Sequence, residues 1–411
     1  MAAHTTSPVV VPLDTDEYWA DPYPVLAEIR DRHRTAITPE GEKVVLRWDD
    51  AVAVKKDPRF ENEGLEYIEA RGFRPGDPLY EWRRWSIGAR NGDDHRRLRS
   101  LVNRALTPKS ADAARPTVAQ HTRAILEEHV GDGDVGELDA RHAFRRVPFL
   151  AITHFLGIDL EEATRVGTAM GSGAADAFGP NVTQELRDRA NATFATVTAF
   201  VGELVEQRRA EPRDDLLSRL IAAEEHGERL SHDELVVLFT NIFSGAVETT
   251  SSLMTSTVLE LARHPDQTQI LRADPEAYKR SAVEEILRYR PGFYATGQKA
   301  VAPVEIAGLS FAAGEPLSII IGGPNRDASH WDEPNRFDIT RDPNVWSFTF
   351  SMGQHFCLGQ ALARAELQEF AAAVATHCHD LELTAEPTWQ PRVMVNAVDT
   401  CPVRFRYRRP E

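Results

Sequence analysis

The spacing of apolar positions along the chain predicts a mainly helical protein. Apolar residues recur three and four positions apart in eight stretches of helical length. These stretches are residues 22–32, 94–106, 118–129, 184–209, 214–225, 232–263, 275–289 and 360–377. Strand-like pieces are short, at residues 44–48, 304–306, 316–321 and 403–407. No internal repeat or clear linker divides the chain. We therefore expect a mainly α fold with small β-sheets, in one large domain over residues 1–411, with a flexible N-terminal segment at residues 1–14.

The longest predicted helix has strong signals at both ends. Ser231 and Glu234 have the spacing of a capping box, in which each side chain accepts a hydrogen bond from the backbone of the other. Pro265 stops the helix at its far end. The first half is apolar on all sides, which predicts a buried helix at the centre of the fold.

The middle of that helix is unusual. Gly245 and Ala246 are small, and Glu248 and Thr249 follow them. Threonine hydroxyls compete for backbone carbonyls and can bend a helix. Two interpretations stay open at this point. In the first, polar residues interrupt a structural helix. In the second, the small residues form a groove for a ligand, and Glu248 and Thr249 supply a proton path.

Composition narrows the class of protein. The chain is 42% hydrophobic and 27% charged, the balance of an ordinary globular protein. Its net charge of −16 argues against a nucleic-acid partner, which would need a basic face. No run of about 18 apolar residues could cross a membrane, and the N-terminus lacks the features of a secretion signal. The three cysteines are too few and too scattered for a disulfide framework, so we expect a cytoplasmic protein.

One of these cysteines stands in a setting that predicts a cofactor ligand. Phe350, Gly353, Cys357 and Gly359 have the spacing F-x-x-G-x-x-x-C-x-G, directly before the predicted helix 360–377. Glycines let the backbone pass close to a flat, bulky partner. A helix N-terminus favours an anionic sulfur. A buried cysteine beside an ordinary helix would not require this spacing.

This pattern resembles the haem-binding loop of the cytochrome P-450 family, and all four positions match. The middle of the central helix is similar to the family's (A/G)-G-x-(D/E)-T, with Ala246 in place of the second glycine, a departure that would narrow the oxygen-binding groove. The resemblance implies the cytochrome P-450 fold, haem b (iron protoporphyrin IX) held through its iron by Cys357, and dioxygen as co-substrate. It also implies that Thr249 hydrogen-bonds the oxygen and that Glu248 relays protons.

Two further motifs match the family. Glu285 and Arg288 stand three apart, which alone would be a commonplace helical ion pair, but their place before the cysteine is that of the family's E-x-x-R. Arg336 lies in a segment similar to P-x-R-F. The resemblance implies that these three side chains form an ion-pair network that braces the cysteine side of the haem without a chemical role.

The haem propionates would need cationic partners. The segment from His95 to Arg99 resembles the family's H-T-R-L-R, and both residues share a helical face. His355 would be a third partner. The family often has arginine where this chain has Gln298, so one propionate contact is expected to be weaker, or Lys299 substitutes.

The resemblance implies a haem-thiolate monooxygenase that hydroxylates or dealkylates a hydrophobic or aromatic small molecule. The pocket candidates are Trp82, Trp85, Ile242, Gly245, Phe293, Tyr294 and Val398. The chain has no glycine-rich dinucleotide fingerprint, so we expect electrons from a ferredoxin-type donor with its reductase. The donor is expected to dock near Arg96, Arg97 and Arg364, and the protein is expected to be a monomer.

Two alternatives to this function stay open. One is another oxidative step of secondary metabolism, such as coupling, epoxidation or desaturation, and the other is a non-catalytic haem-thiolate sensor.

Overall fold

The computed structural model describes residues 8–104, 106–170, 176–179, 182–225, 230–306, 308–389, 395 and 398–409. Helices make up most of this part of the chain. They are α1 Asp16–Ala20, α2 Pro22–Arg32, α3 Trp48–Lys56, α4 Glu66–Glu69, α5 Pro78–Trp85, α6 Gly92–Asn103, α7 Pro108–Asp112, α8 Arg115–Val130, α9 Ala140–Phe144, α10 Arg146–Leu156, α11 Leu160–Met170, α12 Gln184–Ala210, α13 Leu216–Glu225, α14 His232–Arg263, α15 Pro265–Ala273, α16 Pro275–Tyr289, α17 Gly322–Asn325 and α18 Gln360–His377.

The strands are short and form small sheets. They are β1 Val9–Val10, β2 Ala36–Ile37, β3 Lys43–Val45, β4 Phe60–Glu61, β5 Val135–Asp139, β6 Ala295–Ala300, β7 Val304–Ile306, β8 Leu309–Phe311, β9 Pro316–Ile320, β10 Cys378–Leu383, β11 Thr388–Trp389, β12 Val398–Thr400 and β13 Pro402–Tyr407. The largest sheet has the order β1-β2-β3-β9-β6-β4. A three-stranded sheet has the order β10-β13-β5, while β11 pairs with β12 and β7 with β8.

The central helix α14 organises the core. It packs against α9, α10, α12, α16 and α18. Its N-terminal cap is the predicted one, since Ser231 N donates to Glu234 Oε2 at 2.9 Å and Glu234 N donates to Ser231 Oγ at 3.2 Å. Leu235 and Phe239 in the first half are fully buried. The prediction of a long, buried central helix is confirmed.

The helical predictions are accurate where capping and periodicity are strong. The bounds of α2, α14, α16 and α18 are those predicted. The prediction of a strand over residues 44–48 is wrong in its second half, because α3 begins at Trp48. Asp327, far away in the sequence, caps this helix: its Oδ2 accepts from Trp48 N at 2.8 Å. Such a cap cannot be recognised from the local sequence.

The N-terminal segment is more ordered than expected. Residues 1–7 lie outside the described part of the chain. Val9 and Val10, however, pair in parallel with Ala36 and Ile37, and Val11 is fully buried. The expectation of flexibility is therefore wrong for residues 9–11, since backbone pairing and apolar burial hold them against the largest sheet. Among the described helices, none has the length and apolar character needed to cross a bilayer.

Candidate functional site

The loop before α18 folds tightly around Cys357. The Cys357 N–H donates to the Phe350 carbonyl at 3.0 Å, which closes the loop. Gly353 has a φ of +71°, and a Cβ there would stand 2.6 Å from the Lys55 carbonyl oxygen. Only glycine fits this conformation and this approach without strain. At Gly359, by contrast, an added Cβ would have no heavy atom of the described chain within 4 Å. The loop is thus packed on one side and open on the other.

Hydrogen-bond donors and positive charges around the Cys357 sulfur favour its thiolate form, and burial acts against that form. Burial raises the pKa of the thiol, and the backbone N–H groups of Gly359 and Gln360 oppose that rise, as do the charges of Arg364 and Arg99. Arg364 lies over the Phe350 ring at 4.5 Å from its centroid. These groups point positive charge and N–H dipoles at one sulfur atom, which is the arrangement that a metal-binding thiolate needs.

The middle of α14 also borders open space. Gly245 is exposed although it lies in a buried helix, and no heavy atom of the described residues outside the helix backbone would lie within 4 Å of a Cβ there. Thr249 Oγ1 donates to the Gly245 carbonyl at 2.7 Å. Ala246 and Leu358 belong to the same hydrophobic cluster, so this part of α14 and the cysteine loop lie together. Of the two interpretations of the helix middle, the structure favours the groove.

Glu248 is held by two arginines of the chain segment that crosses α14. It forms an ion pair with Arg141 and another with Arg145, whose Nη2 lies 3.5 Å from Glu248 Oε2. Arg141 Nη1 also donates to Ser251 Oγ at 2.8 Å. The Glu248 side chain is 26% exposed, so it connects the helix middle with solvent. No motif or local spacing in the chain predicts these arginine partners.

The three predicted propionate-binding residues come together. The rings of His95 and His355 lie 4.0 Å apart, and His355 Nε2 is 3.0 Å from Asn91 Oδ1. Arg99 Nη1 donates to the Gln354 carbonyl at 3.1 Å, which places it against the same loop. His95 is buried, and its Nδ1 has no hydrogen-bond partner in the described chain. Burial lowers the pKa of His95 to about 4, with the charges of Arg99 and Arg96 adding to the effect.

The ion-pair network beneath the loop differs from the prediction in one member. Arg288 binds Glu285 through Nε at 2.7 Å and Nη2 at 2.8 Å, and both side chains are 1% exposed. Arg341, not Arg336, adds the second guanidinium, at 3.3 Å from Glu285 Oε1. The prediction for Arg336 is wrong because its side chain is 57% exposed and pairs with Glu333 at 2.9 Å. Only its carbonyl joins the network, by accepting from Arg288 Nη2 at 3.1 Å.

The seven pocket candidates differ in burial: five are partly buried or exposed and stay predictions, whereas two are buried in the core. Trp82, Trp85, Ile242 and Phe293 are partly buried, as residues that line an open space should be, and Gly245 is exposed.

Tyr294 is instead buried in the core beside α1, where its hydroxyl bonds that of Tyr18. Val398 is fully buried in the cluster around α14 and α18. Both predictions are therefore corrected, because core neighbours surround the Tyr294 and Val398 side chains. Phe293, next to Tyr294, packs instead at the edge of another cluster.

The three arginines predicted to contact an electron donor differ in whether their charge is already paired within the protein. Arg97 Nη2 pairs with Glu234 at 2.6 Å, and Arg364 Nε pairs with Glu284 at 2.5 Å. Arg96 is exposed and contacts Asp93, which is itself almost fully exposed. The sequence did not indicate the Glu284–Arg364 pair, although Glu284 stands directly beside the predicted Glu285.

The residues present fit haem. A flat anionic ring system needs a slot without side chains, donors for its carboxylates and a soft ligand for its iron. The open spaces at Gly245 and Gly359 fit the first need, the unpartnered His95 Nδ1 with Arg99 the second, and the Cys357 sulfur the third. Within the described residues, no group of three or more His, Cys, Asp or Glu side chains forms another metal site.

Comparisons with known proteins agree with this geometry. A family model described as Cytochrome P450 matches residues 176–383. Cytochrome P450 monooxygenase PikC of Streptomyces venezuelae is 31% identical, over 98% of this chain and 96% of that protein. The 6-deoxyerythronolide B hydroxylase of Saccharopolyspora erythraea is 31% identical, over 96% of this chain and 98% of its own. The crystal structure of CalO2 has a TM-score of 0.86 at 28% identity, over 95% of this chain and 97% of that one.

Proposed function

Since this chain belongs to the cytochrome P450 family of monooxygenases, which bind haem b and use dioxygen, we propose that Cys357 is the axial ligand of its haem iron. The same relatives confirm the fold and the class of enzyme predicted from the motifs. In this proposal Phe350, Gly353 and Gly359 shape the loop around the sulfur.

The observation that carries this proposal is the environment of the Cys357 sulfur. Two backbone N–H groups and two guanidinium groups oppose the rise in the pKa of the thiol that burial causes. They stabilise the thiolate, which is the form of cysteine that binds a metal. Because Gly359 leaves open space next to the sulfur, a flat ligand can approach it.

The residues of α14 are proposed to handle protons and oxygen. The bound haem supplies the activation of dioxygen, with a thiolate ligand that favours O–O cleavage. The Thr249 hydroxyl donates to the Gly245 carbonyl at 2.7 Å. With haem bound, a rotation about χ1 would let it donate a hydrogen bond into the groove instead. Glu248 brings protons from solvent, and must leave Arg141 or Arg145 to turn inward. Ala246 narrows the groove between them.

The proposed substrate is a hydrophobic or aromatic small molecule of secondary metabolism, and the proposed reaction is hydroxylation, or dealkylation where the attacked carbon carries a heteroatom. Partly buried aromatic side chains support this, among them Trp82, Trp85 and Phe293. The hydroxylase and the monooxygenase among the relatives point the same way.

Electrons are proposed to come from a ferredoxin-type donor with its reductase, acting on a monomeric enzyme. Arg96 is the best available contact for an acidic electron-donor protein, because its side chain is exposed and it forms only a weak surface ion pair with Asp93. Arg97 and Arg364 already pair with buried glutamates.

A spectrum of the reduced, carbon-monoxide-bound protein tests the ligand. We expect the strongly red-shifted band of a thiolate-ligated haem in the wild type, and its loss in Cys357→His with haem still bound. Cys401→Ser is the matched control, because Cys401 is buried, free and outside the loop. A wild-type band at the position given by histidine-ligated haem would rule out the proposal. Titration with hydrophobic and with acidic aromatic compounds, followed by the shift of spin state, then tests the substrate class.

A further inference from the structure

Gln298 leaves one place near the propionates without a cation. Its buried amide is neutral, and its Nε2 donates to Asn62 Oδ1 and to the Gly297 carbonyl. Lys299, the expected substitute, lies next to it in β6, where its side chain points to the other side. There it pairs with Glu66 at 2.5 Å. If a second cation faces the haem, it comes from another element.

Lys55, in the last turn of α3, lies between β6 and the cysteine loop. Its Nζ is 3.3 Å from Thr296 Oγ1, and Thr296 shares a face of β6 with Gln298. Its carbonyl oxygen is the atom against which Gly353 packs. The charge of Lys55 also acts on the His355 ring. Lys55 therefore points into the region that Gln298, His355 and Arg99 surround.

Lys55 has a charge without a counter-ion. Among the described residues no carboxylate forms an ion pair with its Nζ, and burial lowers the pKa of Lys55 to about 7 with no anion opposing the shift. A buried ammonium costs free energy unless an anion accompanies it. The charge of Arg83 also acts on the His355 ring, but this guanidinium already donates to the Glu63 and Gly64 carbonyls. A bound carboxylate would satisfy Lys55.

We propose that Lys55 binds one haem propionate and so replaces the arginine that the family has at the position of Gln298. Arg99 then pairs with the other propionate, which gives two positive charges for two carboxylates, while His95 and His355 add hydrogen bonds. The inference rests on the proposed haem site at Cys357. It corrects the expectation that Lys299 takes this role.

The test is Lys55→Met, with Lys56→Met as control, because Lys56 is the exposed neighbour on the same helix. In the haem-loaded protein we expect haem transfer to excess apomyoglobin to become about tenfold faster, since a charged hydrogen bond is lost. The reduction potential should fall, because a positive charge near the iron favours the reduced form. In the haem-free protein the same variant should raise the midpoint of urea unfolding, because a partly buried charge without a counter-ion is gone.

Opposite effects on haem retention and haem-free stability separate a propionate ligand from a merely structural lysine. Adding Gln298→Arg to Lys55→Met should bring the transfer rate back toward that of the wild type. Unchanged haem transfer in Lys55→Met, or a faster transfer in Lys299→Met instead, would overturn the inference. A missing thiolate band in the wild type would refute the proposed function itself, whereas a normal band with unchanged haem transfer refutes only the role of Lys55.

Discussion

The two faces of the proposed haem site are built in opposite ways. The cysteine face, formed by the loop 350–359 with α16 and α18, is closed: Arg288 and Glu285 are buried and bonded to each other twice. The central-helix face, formed by the middle of α14 with α5, is open. Gly245 borders empty space there, and the buried Trp82 Nε1 has no hydrogen-bond partner in the described chain. The protein thus fixes the sulfur in advance and leaves the opposite face to gain its partners from ligands.

The strongest test of a closed cysteine face is Arg288→Met. Removing this guanidinium leaves the buried Glu285 with Arg341 at 3.3 Å and the Asp338 N–H at 2.8 Å. Breaking a buried pair in this way costs about 3–5 kcal/mol of unfolding free energy. Urea unfolding of the haem-free protein, followed by circular dichroism, measures the loss.

Arg336→Met is the matched control for that variant. Its exposed charge pairs with the exposed Glu333, and water screens such a pair, so we expect no measurable loss of unfolding free energy. Equal losses in the two variants would contradict the replacement of Arg336 by Arg341 in the network. A small loss in both would show that the cysteine face does not depend on this ion pair.

Two glycines of the same loop sharpen the contrast between the faces. Gly353→Ala forces a positive φ on alanine and brings its Cβ within 2.6 Å of the Lys55 carbonyl. We expect it to cost about 1–3 kcal/mol of unfolding free energy in the haem-free protein. Gly359 has a φ of −82°, and a Cβ there would point into open space, so Gly359→Ala should leave the free energy of unfolding unchanged. It should lower haem content instead, because the new methyl group enters the space left for the ring.

Haem content after reconstitution and urea midpoints, measured on both variants, check this prediction. A loss of haem-free stability in Gly359→Ala would mean that the space beside Gly359 is closed by the protein itself. The open side of the loop would then not be part of a ligand site.

Local sequence spacing was sufficient to predict the contacts of the cysteine face that are close in sequence. It was insufficient to predict the more distant arginine that binds Glu285. Cys357 with its glycines, and Glu285 with Arg288, are close in sequence, so a motif predicts their contacts. Arg336 and Arg341 lie in one loop, and which of them reaches Glu285 depends on how that loop folds across α16. The sequence contains no periodicity from which this could be read.

On the central-helix face, sequence-based prediction fails for a different reason. Phe293 and Tyr294 are equally aromatic neighbours, but Tyr294 enters the core beside Tyr18, whereas Phe293 packs at the edge of a different cluster. Arg141 and Arg145, the partners of Glu248, lie in α9 and just after it, about a hundred residues earlier in the chain. Tertiary packing creates both contacts, and residue type alone does not predict them.

The buried histidine next to the open face gives a pH-dependent prediction. The pKa of His95 is about 4 in the folded chain and about 6.5 when unfolded. Between these values the unfolded chain takes up a proton that the folded chain does not, so the free energy of unfolding falls as the pH falls. The contribution of this one group is at most about 1.4 kcal/mol per pH unit below about pH 6.5.

His95→Gln should remove that slope from the haem-free protein, and His154→Gln, at an exposed position, should not. Urea unfolding at pH 7.5, 6.5 and 5.5 measures the difference between each variant and the wild type. If the His95→Gln difference stays constant over this range, the imidazole is protonated in the folded chain and its site is not as apolar as its burial implies.

The smallest expected effect comes from Gly245→Ala, on the central-helix face. Alanine is the better helix former, and its Cβ would meet no heavy atom within 4 Å outside the helix backbone of the described chain. The haem-free protein should therefore gain about 0.5–1 kcal/mol of unfolding free energy. Hydrophobic ligands should bind more weakly to the haem-loaded variant, since the methyl group takes up groove volume, and a titration of the spin-state shift measures this. A variant that is less stable without haem would show that neighbouring side chains already fill the groove, and the difference between the two faces would then be one of degree only.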